Sequence, residues 1–311
     1  MPHNRWNRTT RRRPRRGAGA AVAIGLLLVA AGCSGSPNAP VRPAHVLFIG
    51  NSLTEANDLP EMVRALALAG GQREPVIGEV VRGGYSLGDH LVDGAAAQAI
   101  ADGEWDVVVL QQGPSGLPES RDTLIADTRR FDTLIRGIGA TTALFMVWPD
   151  STRMTAFDSV SWSYRDAATA VGGLLFPAGD AWQAAWRSDA TLPLYGPDGF
   201  HPSVHGSYLS ALVIYYGLYR ASPIGLPATF TVGHAGWTLS LPADEAATLQ
   251  AAALAAALAG RAQRTLDLGM SFDEPRDLVG EIARRGEIGG ERIHGADAAL
   301  YAKELEADRL Q

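Results

Sequence analysis

Five short apolar runs recur along this chain, separated by stretches of helical periodicity, and that alternation limits the fold more than any other feature. The runs are HVLFIG (45–50), PVIGEVV (75–81), WDVVVLQQ (105–112), TTALFMVW (141–148) and GLLFPAG (173–179). A continuous apolar run without alternation marks a strand buried on both faces. Helices are expected over 59–71, which stops at Gly-Gly, then over 87–101, 121–139 and 157–171. A further helix is expected over 201–220, with Pro202 just inside its start. Strands alternating with helices predict a parallel sheet covered on both faces, a three-layer α/β/α sandwich.

Five such strands fit a flavodoxin-like sheet, in which ligands bind outside the carboxyl ends of the strands. Ser52, Gly84, Gln112 and Pro149 all fall at or just past such ends. Residues 221–311 are harder to read; 243–260 has an Ala-rich helical face, and the tail from about 263 alternates in charge. No repeat, metal-ligand cluster or phosphate loop stands out, so neither a cofactor nor a metal is expected.

The beginning of the chain reads differently. Residues 1–16 carry seven arginines and no acid, and an apolar run of small residues follows from Gly17 to Gly32. That run suits a signal h-region and is short of the roughly 20 residues that a membrane span needs. It closes on LVAAGCSGS, whose Cys33 is the only cysteine in the chain. The pattern resembles a bacterial lipobox, which implies lipidation at Cys33 and an exported chain anchored at the cell surface or on the periplasmic side. An ordinary secretory signal is the alternative. Residues 33–43 then form a tether, 44–262 the main domain, and 263–311 a helical tail of unclear role. Without residues 1–32 the net charge falls from −6 to −13, because seven arginines and no acid are removed. So acidic a chain argues against a nucleic-acid partner.

Two short stretches carry the chemistry. GNS (50–52) puts a serine at the end of the first strand, and DGFHPS (198–203) sets a carboxylate and an imidazole three residues apart. A serine is a weak nucleophile until an imidazole takes its proton and a carboxylate holds that ring. Either stretch alone has a plain structural reading, as a turn or as a capping histidine. Together, and in this order along the strands, they resemble the SGNH/GDSL hydrolase family over about residues 44–220, with GNS standing where the family has GDS.

The resemblance implies Ser52 as nucleophile, His201 as general base and Asp198 as its orienting acid. It also implies an oxyanion hole of three donors: the N–H of Ser52, a glycine N–H after the second strand, and a side-chain amide after the third. Gly84 is the candidate for the second, with Gly83 beside it. For the third, the family's GxND is absent and LQQGPSG (110–116) stands in its place. Gln112 can donate an amide there, with Gln111 and Ser115 as alternatives. The helix after Ser52 is expected to turn further N–H groups toward the site. His90 is a candidate either for the site or for packing, and Trp148-Pro149-Asp150 either for a pocket wall or for a strand stop. The expected substrate is a small-molecule or glycan ester, with short acyl groups on carbohydrate favoured. Transfer of the acyl group to a glycan, or a non-catalytic binding lipoprotein on the same scaffold, are the alternatives.

Overall fold

The apolar runs become neighbouring strands. The computed structural model describes residues 45–233 and 236–267. In it β1 (His45–Gly50), β2 (Val76–Val81), β3 (Val107–Leu110), β4 (Thr141–Met146) and β5 (Leu174–Pro177) form one parallel sheet, in the order β2-β1-β3-β4-β5. The central strands are the most apolar: Val46 to Ile49 and Val107 to Leu110 are buried throughout. Backbone hydrogen bonds within the sheet leave only the side chains to be accommodated, and helices cover both faces.

Nine helices are described: α1 (Ser52–Glu55), α2 (Leu59–Ala69), α3 (Leu87–Asp93), α4 (Ala95–Asp102), α5 (Pro118–Gly137), α6 (Phe157–Val171), α7 (Ala178–Ser188), α8 (Val204–Tyr219) and α9 (Ala243–Asp267). Helices α2, α8 and α9 pack together on one side, α3 to α6 on the other, and α7 touches both groups. α8 is apolar on all sides and buried almost throughout, as a helix enclosed by α2, α7, α9 and β5 must be.

The register sets up the site. Gly50 pairs with Val81 of β2, and Ile49 pairs with Leu110 of β3. Three strands therefore end level, and their following loops emerge side by side with β1 in the middle.

Several expectations need correction. The helix expected over 87–101 is two helices, because Gly94 adopts φ 81° between them, a left-handed conformation open to glycine. β3 stops at Leu110, so Gln111 and Gln112 belong to the loop. Pro202 lies outside α8; it bridges to Tyr195, and Ser203 caps the helix by accepting from Gly206 N–H. Helix α7 follows β5 with no intervening loop, and the antiparallel hairpin of β6 (Thr229–Val232) and β7 (Trp237–Ser240) lies in a region whose sequence gave no clear pattern. α9 continues to Asp267, beyond the helix expected over 243–260. The expectations for the leader over 1–32, for Cys33, for the tether and for the tail beyond Asp267 fall outside the described residues.

Candidate active site

Ser52 opens α1 directly after β1, half-buried at the carboxyl edge of the sheet. Its Oγ lies 2.9 Å from His201 Nε2. On the far side of the ring, Nδ1 lies 2.6 Å from Asp198 Oδ2. A carboxylate only accepts, so Nδ1 carries the proton and Nε2 is free to accept from the serine hydroxyl. Asp198 Oδ1 in turn accepts from the N–H groups of Phe200 and His201, both at 3.0 Å. The hydrogen bond from the His201 ring, with the Phe200 N–H next, pulls the Asp198 carboxyl down to about 2. The carboxylate therefore stays ionised through the range in which a histidine titrates. Thus the three residues singled out from the sequence meet in one hydrogen-bonded line.

The loop that bears Asp198 and His201 is held by the end of β4. Trp148 Nε1–H donates to Phe200 O at 3.0 Å, Ser151 N–H to Gly199 O at 2.8 Å, and Tyr195 O–H to Pro149 O at 2.6 Å. Burial pushes the Tyr195 phenol up, so it remains a donor. Trp148 is fully buried and stacks on Trp182, with ring centroids 3.7 Å apart. Trp148-Pro149-Asp150 therefore does more than stop a strand: with Ser151 it anchors the loop that bears Asp198 and His201.

Gly50 has an ordinary backbone conformation and owes its identity to a close approach. A Cβ there would stand 2.4 Å from Thr54 Oγ1 and 2.5 Å from Gln111 Oε1. Gln111 is the hub of this turn. Its Oε1 accepts from Asn51 N–H and Thr54 O–H, and its Nε2 donates to Asn51 Oδ1 and to Gln112 O. Both amide hydrogens are thus occupied, and neither is available to a substrate. Asn51 joins the network from the other side, donating through Nδ2 to Tyr85 O at 2.9 Å. This ties the nucleophile turn to the Gly83-Gly84 turn, which closes through Tyr85 N–H to Arg82 O.

Gln112 is placed differently. Leu87 N–H, the first of α3, donates to its Oε1, while Nε2 donates to Ser115 Oγ at 2.8 Å. With the oxygen pinned, the orientation of the amide is fixed, and one of its two hydrogens has no acceptor among the described residues. Ser115 uses its own hydroxyl hydrogen on Gly113 O and holds φ 57°. Tyr164, fully buried on α6, donates to Gln112 O at 2.7 Å, and burial raises its phenol well above the usual value. Gly84 adopts φ 76°, and neither its N–H nor that of Gly83 donates to a protein acceptor among the described residues. The helix after Ser52 is a single turn, too short for a substantial dipole, so the Ser52 N–H itself is the donor of note.

This chain matches no protein-family model and no curated protein. Solved structures do resemble it. A DUF4886 family protein from Bacteroides uniformis is 22% identical over 67% of this chain and 92% of that one, with a TM-score of 0.52. The two share a fold. A candidate SGNH hydrolase from Slackia heliotrinireducens is 28% identical over 56% of this chain and 97% of its own, with a TM-score of 0.47. A lipase/acylhydrolase from Enterococcus faecalis is 18% identical over 55% and 93%, with a TM-score of 0.45.

Two other described histidines serve elsewhere. His90 is fully buried in α3, donates through Nε2 to Gly50 O at 2.9 Å and meets the Tyr85 ring edge-on. His205 faces Glu245 of α9 at 2.6 Å. Among the described residues, no three His, Cys, Asp or Glu are grouped to hold a metal. A groove of about 360 Å³ is lined by Ser115, Leu117, Pro149, Asp150, Arg153 and Phe200 among others; Ser52, Asp198 and His201 do not line it, but the Phe200 ring meets that of His201 edge-on. Tyr164 was not legible as a site residue, since in sequence it reads as one more apolar position. Trp148 was expected as a pocket wall or a strand stop, and only its long-range bond to Phe200 O shows it as a support of the loop that bears Asp198 and His201.

Proposed function

We propose that this chain is a serine esterase acting through an acyl-enzyme. The observation that carries the reading is the continuous line of hydrogen bonds from Asp198 through His201 to Ser52 Oγ. In the first half-reaction Ser52 Oγ attacks the ester carbonyl carbon while His201 Nε2 takes the hydroxyl proton. Asp198 holds the ring by Nδ1 and stabilises the imidazolium that forms. The oxygen that becomes negative is met by the N–H of Ser52, the N–H of Gly84 and the uncommitted hydrogen of Gln112 Nε2. Each such donor typically contributes about 10²–10³ in rate. As the tetrahedral intermediate collapses, the alcohol leaves with the proton from His201 Nε2. Water then attacks the acyl-serine, losing its proton to His201, and the acid departs as Ser52 is restored.

The groove beside Phe200 and Ser115 takes the larger part of the substrate, which suits short acyl esters of a carbohydrate or another bulky alcohol. The chain is exported and held at a membrane by a lipidated Cys33, and no cofactor takes part. Ser52→Ala tests the chemistry. Hydrolysis of p-nitrophenyl acetate is expected to fall by at least roughly 10³-fold. Thermal unfolding should stay the same, since among the described residues the hydroxyl bonds only to His201. Undiminished turnover in this variant would remove Ser52 from the mechanism.

A further inference from the structure

Immediately after α1 the chain does something that L-residues avoid twice in succession. Asn57 and Asp58 both hold left-handed backbone conformations, with φ 56° and 52°. Such strain persists only where the surroundings impose it, and it gathers near functional sites. The surroundings here are specific. Asn57 Nδ2 lies 3.1 Å from Pro202 O, 3.2 Å from Ser203 O and 2.9 Å from Ser207 Oγ. Ser207 Oγ also donates back to Ala56 O at 3.4 Å. Pro202 follows His201 directly, and Asn57 is five residues beyond Ser52. The nucleophile and the base, 149 residues apart in sequence, are thus fastened together at a second point just behind the Ser52–His201 hydrogen bond.

We propose that Asn57 is a positioning residue that fixes the separation and alignment of Ser52 and His201. The inference rests on the serine-esterase reading. Asn57 touches neither substrate nor the reacting atoms; its amide clasps the segment behind the nucleophile to the segment behind the base. The left-handed backbone is what aims Nδ2 at the two carbonyls. Asparagine meets both demands at once, since it tolerates that conformation and supplies a donor. Alanine meets neither. Glycine meets only the first, which allows the two roles to be separated.

Asn57→Gly keeps the turn and removes the clasp. In this variant kcat is expected to fall about 10- to 100-fold with KM little changed, because slight misplacement of reacting groups is costly. The rate at which a fluorophosphonate labels Ser52 should fall by the same factor, since that reaction needs the same serine–histidine alignment and no substrate pocket. Asn57→Asp should be at least as slow, as it turns an acceptor toward two carbonyls. Should Asn57→Gly fail to fold, Ser207→Ala removes one of the three acceptors and is expected to lower kcat and labelling rate together, by a smaller factor. Wild-type rates of labelling in Asn57→Gly, or in Ser207→Ala where that variant is needed, overturn the inference and leave the esterase reading intact. Absence of labelling in the wild-type protein overturns both.

Discussion

Gln111 and Gln112 are adjacent and chemically identical, yet the fold gives them opposite duties. Gln111 is saturated by Asn51, Thr54 and the Gln112 carbonyl, and so it serves as a structural bracket for the nucleophile turn. Gln112 is anchored through its oxygen and keeps a hydrogen to give. Gln112→Ala is therefore expected to lower kcat of ester hydrolysis by about 10- to 1000-fold with a smaller effect on KM. A steady-state comparison with wild type checks this, and an unchanged kcat would move the third donor elsewhere. The sequence favoured Gln112 and kept Gln111 as an alternative, because the partners that separate them lie 25 to 60 residues away. Ser52, Asp198 and His201 were legible because their residue types and order are themselves the chemical requirement. Asn57 left only a faint trace, two adjacent residues tolerant of positive φ ahead of Leu-Pro.

At the level of elements, legibility followed burial. β1, β3 and β4 could be read directly, since a strand covered on both faces has no room for polar residues. The hairpin β6–β7 could not, because each of its strands buries only one of four residues and so carries no continuous apolar run. α7 was missed because it begins at the residue after β5, without a turn signal to divide them. α3 carries a titratable consequence. His90 is enclosed between that helix and the Gly50 carbonyl, and burial lowers its pKa from the ordinary 6.5. The unfolded chain then binds a proton that the folded one refuses. The contribution of His90 is thus fully present above pH 6.5 and is lost as pH falls below it toward the depressed folded value. Urea midpoints measured between pH 5 and pH 8 should decline on the acid side in the wild type and decline less in His90→Phe. Equal slopes in the two proteins would show that His90 contributes nothing to the pH dependence.

For the whole molecule, the sheet order accounts for the site. With β1 between β2 and β3, Ser52 stands between the glycine turn on one side and the glutamine loop on the other, and the segment after β4 supports the Asp198–His201 loop from beyond. Among the described residues no helix is long and apolar enough to cross a membrane. The proposed attachment through Cys33 is tested on the full-length chain. Expressed at full length in a bacterial host that lipidates exported proteins, the wild type should incorporate labelled palmitate and sediment with membranes. Cys33→Ala should incorporate none and shift to the soluble fraction; membrane retention in that variant would point to a different anchor.

The distance along the chain between Ser52 and His201 has a consequence in time. β1, β2 and β3, with both amide-bearing turns, can associate from the first hundred or so residues, but the base arrives only with the loop ahead of α8. Contacts of such long sequence separation pay their loop-closure entropy late. Recovery of esterase activity during refolding would accordingly trail the return of secondary structure, so that hydrolysis of a chromogenic ester would act as a clock for the last step of folding.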